Sequence, residues 1–125
     1  MGAGGKIDPT KICVADLFDT RECYLASLMR KRLRKLGITS GIKAVYSTEE
    51  MMAESLMLTD GANFKKSAYG TISYMPAAFG GVCASVVLRD LLEYPIEMEK
   101  KLPALAIREK KQKEIEKKKL VKGER

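Results

Sequence analysis

Without a single histidine, this chain can hold neither a His-based nucleophile relay nor a mixed Cys/His zinc site. Its three cysteines, Cys13, Cys23 and Cys83, lack C-x-x-C spacing and read as reduced thiols. Cys23 lies near the N-terminus of an expected helix, where a thiol is acidified, but no base or second cysteine stands at a suitable spacing, so it reads as inert. Gly2-Ala3-Gly4-Gly5-Lys6 has the composition of a phosphate loop. A dinucleotide fingerprint, however, needs a strand before its glycines and a helix after them. Here the glycines lead into Asp8-Pro9, a turn signal, so a flexible loop is expected. The remaining candidates are cations: Arg30, Lys31, Arg32 and Arg34 near a helix end, and Lys65 with Lys66 in a polar loop. Such side chains position phosphates without reading bases. Cations in a last helical turn also complement the helix dipole, so a solvated helix end is the plainer reading of the first four.

The charge distribution sharpens this. The formal net charge is +7, from 23 basic and 16 acidic residues in 125. Of these, 11 basic and 4 acidic residues lie in 100–125, which leaves residues 1–99 neutral with 12 of each. The affinity for a polyanion is therefore expected in the tail or in a local patch. We divide the chain into a globular body, 1–99, and a charged, basic helical tail, 100–125. Glu109/Lys113 and Glu114/Lys118 have helical spacing, but no aromatic residue interleaves the tail's charges, so it offers no base stacking. The glycine-rich start lacks the apolar run of a signal peptide, making the cytoplasm the default location.

The elements that position these residues follow from periodicity. Residues 11–16 read as a strand whose two faces, Ile12/Val14 and Cys13/Ala15, both suit a core, hence a sheet covered on each side. Asp19-Thr20, with Glu22 in capping-box spacing, is expected to open an amphipathic helix whose buried face is Leu25, Leu28, Met29, Leu33 and Leu36, ending at Gly37. Residues 42–47 form a second strand candidate, giving a βαβ-like unit and an α/β class. Ser47 and Glu50 have capping-box spacing before a Met-rich short helix or ordered loop.

The longest apolar run, YGTISYMPAAFGGVCASVVLRDLL at 69–92, is the centre of the body. Tyr69–Tyr74 reads as extended and a helix starts at Pro76, whose missing N–H is harmless in a first turn. This helix is apolar nearly all round, the mark of a buried element. Gly80 and Gly81 each cost up to about 1 kcal/mol in a helix interior, which points to close backbone approach by a neighbour. The run is interrupted by Ser, Thr and Pro and falls short of the roughly 20 residues of a membrane span, so no membrane is expected.

GAGGKIDPTKICVADLFDT at 2–20, LASLMRKRLRKLGI with KAVYSTEE at 25–50, and the 69–92 run together resemble the C-terminal half of the tRNA threonylcarbamoyladenosine dehydratases, members of the ThiF-type, ubiquitin-activating-enzyme-like superfamily. The resemblance implies the C-terminal half of a ThiF-type Rossmann-like fold, in which a parallel half joins a half with antiparallel strands, usually in a homodimer. It implies an ATP-dependent enzyme, with Mg, that adenylates the threonylcarbamoyl group on adenosine 37 of tRNA and cyclises it with loss of water. The family's nucleotide loop and ATP-phosphate groups lie upstream of the matching region. No catalytic, cofactor-binding or metal-binding residue is therefore carried onto this chain, and ATP is not expected to bind it alone. Arg30, Lys31, Arg32, Arg34, Lys65 and Lys66 become candidate tRNA contacts, with a homodimer or a separate nucleotide-binding half as partner. The alternative is a stand-alone interaction or dimerisation module with a basic RNA-binding tail and no catalysis.

Overall fold

The computed structural model describes residues 1–61 and 67–100, together with 103, 106, 109, 112, 113 and 115–117. In chain order the elements are β1 (Ile12–Asp16), α1 (Tyr24–Lys35), β2 (Lys43–Ser47), β3 (Leu56–Leu58), β4 (Ser67–Tyr69) and α2 (Tyr74–Leu91). Single 3-10 turns stand at Pro9–Lys11, Leu17–Asp19 and Ala53–Ser55. The tail is helical at positions 106, 109, 112, 113 and 115–117.

β1 and β2 pair antiparallel, with Val14 opposite Val45 and Ile12 opposite Ser47. The expected strand-helix-strand order is present, but the unit is not a parallel crossover. α1 is followed by two left-handed glycines, Gly37 and Gly41, and the chain turns back so that Leu17 N–H donates to Ile42 O at 2.8 Å. That bond sets the start of β2 against the end of β1, which only an antiparallel ladder can continue. β3 and β4 form a second antiparallel pair, Leu56 opposite Tyr69.

Side chains alternate across the β1–β2 ladder as a period of two requires. Val14 and Val45 meet Met75, Phe79 and Val86 of α2 on one face. On the other, Ala44 packs with Leu17, Cys23 and Ala26 beneath α1. The ladder is thus covered on both faces, as the sequence suggested. An ion pair between Lys43 and Asp90 ties the end of α2 to the start of β2.

Several boundaries and faces differ from expectation. α1 begins at Tyr24 rather than at Asp19-Thr20, because Asp16 accepts from Phe18 N–H at 2.8 Å and Thr20 Oγ1 donates to Leu17 O at 2.7 Å, closing a separate 3-10 turn. Glu22 then takes a left-handed φ of 50°, and Cys23 becomes the N-cap. The expected buried face of α1 is mostly open: Leu25, Leu28, Met29 and Leu36 are exposed, and Ala26 is the helix's buried residue. Ser47 caps no helix; its Oγ accepts from Glu49 N–H, and the Met-rich segment becomes a 3-10 turn followed by β3.

α2 starts at Tyr74, two residues before Pro76, which sits inside the first turn. Of its 18 residues, Met75, Phe79 and Val86 are buried, while Val87, Leu88 and Leu91 are exposed to 57%, 58% and 76%. A Cβ added at Gly80 or Gly81 would meet nothing within 4 Å. The helix is apolar all round yet covered on one side, so the close approach inferred for its glycines is not made by the described residues. No helix among them is long and apolar enough to cross a membrane.

Candidate functional site

The cations of α1 separate into two groups. Arg30 Nη1 donates to Thr20 O at 3.0 Å, to Thr20 Oγ1, and at 3.4 Å to Leu17 O. It therefore braces the 3-10 turn that precedes its own helix. Arg34, one turn on, holds its guanidinium 5.4 Å from the Phe18 ring centre, a cation–π contact on the same turn. Lys31, Arg32 and Lys35 are exposed, and so, despite its ring contact, is Arg34. Lys31 and Lys35 share one line of the helix surface while Arg32 and Arg34 lie to either side of it, so the exposed cations fan over a broad arc of the helix. Lys65 and Lys66 lie outside the described residues.

The glycine-lysine segment is ordered by the protein's own atoms. Gly5 has φ of 68°, its N–H donates to Gly70 O at 2.8 Å, and its carbonyl accepts from Met52 N–H at 3.0 Å. A Cβ on Gly4 would lie 2.7 Å from Tyr69 Cβ, and one on Gly5 would lie 2.6 Å from Ser55 Oγ. Glycine is thus required here by neighbouring protein. Lys6 is 2% exposed, and its ammonium donates to the carbonyls of Glu22 at 3.1 Å, Ser47 at 3.4 Å and Glu49. Burial pulls its pKa below the ordinary lysine value, against the raising effect of Cys23, Glu49 and Glu22. Glu49 is buried beside it, accepting from Ile7 N–H and Asp8 N–H.

These observations test the nucleotide that the sequence resemblance implies. A phosphate cradle needs free N–H groups and a free lysine at a helix N-terminus. Here the Gly5 N–H and the Lys6 ammonium are both engaged, and a 3-10 turn follows in place of a helix. The residues present do not fit ATP phosphates. Nor do the described residues gather three His, Cys, Asp or Glu side chains that could hold a metal.

A third cluster escaped the sequence reading. Glu99 accepts from Arg21 Nη2 at 2.6 Å, from Tyr46 OH at 2.6 Å and from Cys13 Sγ at 3.0 Å. Burial, reinforced by Glu99, pushes the Cys13 thiol up to about 12 and raises Tyr46 as well. Burial works to raise the Glu99 pKa too, but the three donors outweigh it and hold the carboxylate below its ordinary value. Cys13 is consequently a protonated donor near neutral pH and no nucleophile. Cys23 is buried, its sulfur facing Ala26 N–H at 3.5 Å, and Cys83 is exposed on α2. Nothing in the spacing of Cys13, Arg21, Tyr46 and Glu99 announces this cluster; pairing of β1 with β2 creates it.

The fold so built is a partial α/β domain of the ThiF type, as in the solved structures it resembles. It is similar to the tRNA threonylcarbamoyladenosine dehydratases over about three quarters of its length. The crystal structure of the Escherichia coli enzyme, TcdA, superposes with a TM-score of 0.61 at 32% identity, covering 74% of this chain and 36% of that one. Further crystal structures of that enzyme hold AMP or ATP. In sequence the chain is 34% identical over 113 residues to dehydratase 2 of Saccharomyces cerevisiae, covering 78% of this chain and 25% of the relative. It is 31% identical over 100 residues to the Bacillus subtilis enzyme, covering 74% and 39%. No family model matches the chain. The chain thus spans between a quarter and two fifths of the length of these relatives.

Proposed function

We propose that this chain corresponds to the C-terminal portion of a tRNA threonylcarbamoyladenosine dehydratase and serves in tRNA modification by completing the enzyme's fold and positioning tRNA. The ATP-dependent steps, adenylation of the threonylcarbamoyl carboxylate at adenosine 37 and its closure with loss of water, then require a nucleotide-binding portion supplied in the same polypeptide or by a partner. The observation that carries this reading is a sequence and fold match to these enzymes, combined with a glycine-lysine loop already filled by the protein itself. Lys31 and Arg32, with Arg34 beside them and the segment beyond residue 100, supply the cationic surface for the tRNA backbone. The proposed location is the cytoplasm, where tRNA is found.

The test has two arms. ATP titrated into the purified chain should show no saturable site, and the chain mixed with the nucleotide-binding portion of the Bacillus subtilis relative should restore cyclisation of threonylcarbamoyladenosine. A micromolar ATP site on the chain alone would overturn the assignment. The second reading, an interaction or dimerisation module without catalysis, is favoured by one observation, the exposed apolar side of α2. It predicts self-association or partner binding through α2 with no restoration of chemistry.

A further inference from the structure

The Glu99 cluster lies where the body meets the basic tail, and its backbone is as engaged as its side chain. Glu99 N–H donates to Val14 O at 2.7 Å, and residue 99 lies alongside Ala15 as a parallel bridge on the edge of β1 that β2 leaves open. Ile96 and Met98, just before it, pack partly buried against the cluster of Val14, Met75 and Phe79. Segment 96–99 thus meets the edge of β1 through a single bridge at residue 99, where one carboxylate also holds it. That carboxylate takes donors from three places: β1 through Cys13, β2 through Tyr46, and the loop before α1 through Arg21.

We propose that Glu99 is the bolt of a clasp that fixes the origin of the charged C-terminal segment on the edge of β1, and that protonating its carboxylate releases residues 96–99 from that edge. Neutral Glu99 loses the ion pair to Arg21 and about half its acceptor strength toward Tyr46 and Cys13, which leaves one backbone bond to Val14 and the partly buried contacts of Ile96 and Met98 to set against the ordering entropy of four residues. The charged and titratable groups around the carboxylate are Arg21, Tyr46 and Cys13 in contact, with Arg89 of α2 and Glu97 lining the adjacent cleft of about 420 Å³. Because the folded-state pKa of Glu99 is depressed, the clasp's contribution is fully present above the ordinary carboxylate value of 4.5 and is lost as pH falls through the lower folded value. The proposal needs no RNA; if the tail does contact tRNA, the clasp also sets where on the body that contact begins.

Amide hydrogen exchange on the full chain tests it, read as the protection of the Glu99 amide from pH 3 to 7. The Leu17 amide, bonded to Ile42 O at the end of the β1–β2 ladder, is the internal reference. The chain should show Glu99 protection near neutral pH that falls about tenfold toward pH 3 ahead of Leu17. Glu99→Gln should show the low value at every pH, with Leu17 unchanged. An unprotected Glu99 amide at pH 7, or the same pH profile in Glu99→Gln, would overturn the clasp. Should Glu99→Gln also expose Leu17, Tyr46→Phe decides: protection at Glu99 should fall several-fold with Leu17 intact, and no change at Glu99 would overturn the proposal.

Discussion

The ammonium of Lys6 is held by three main-chain carbonyls from positions 22, 47 and 49, and this one side chain joins the loop before α1 to the segment after β2. Replacing it by methionine keeps the apolar stem but strands buried acceptors, at about 1–3 kcal/mol for each left unpaired. Lys6→Met should therefore lower the urea midpoint sharply without altering any tRNA affinity of the chain that remains folded. Arg30 gives the matching contrast with Lys31. Arg30→Ala should destabilise the chain by about 1–3 kcal/mol through loss of its bonds to Thr20 and Leu17. Lys31→Ala should leave stability within about 0.5 kcal/mol and reduce the salt dependence of tRNA binding by a slope of about 0.7–0.9. Equal stability losses in the two variants would contradict this division. At this scale the sequence was a poor guide for a definite reason. The partners of Lys6 and Arg30 are mostly backbone carbonyls, which carry no mark of residue type, and Glu99 meets Cys13 across 86 positions. Composition could show that histidine chemistry was absent but not which cations were committed to the fold.

Among the elements, α2 presents the sharpest contrast between sequence and surroundings. Its apolar character and its first-turn proline were legible, since both are local properties of the chain. Which sides would be covered was not, because that depends on what lies around the helix. Gly80→Ala and Gly81→Ala should each stabilise the isolated chain by up to about 1 kcal/mol, since the added methyl groups meet no atom within 4 Å. If α2 also docks on a nucleotide-binding portion, the same substitutions should weaken that association, so one variant is read by thermal melting and by binding. Met75→Ala, on the covered side and fully buried, should cost about 2–5 kcal/mol. α1 teaches the same lesson: its leucine spacing was read correctly as amphipathic, yet the apolar stripe faces outward over Leu25, Leu28 and Met29. Periodicity identifies a face that wants cover and does not supply the cover.

At the scale of the whole molecule, the described body consists of two two-stranded sheets and two helices with apolar sides on both helices left open. A surface of this kind favours association. We expect the chain at micromolar concentration to bind a hydrophobic dye or to self-associate, and addition of the complementary portion of a relative to suppress both; sedimentation velocity distinguishes the two. The α/β class was readable because alternating strand and helix patterns survive in any context, whereas the antiparallel direction of β2 rested on a turn geometry at Gly37 and Gly41. The N-terminal loop carries a last consequence. Its residues are bonded to positions made much later: Gly5 to Gly70, Lys6 to Glu49, and Ile7 O to the Tyr74 hydroxyl at 2.7 Å. On the ribosome residues 5–7 must therefore wait, unsettled, until the chain has been made through residue 74, and this loop becomes a late stitch of folding.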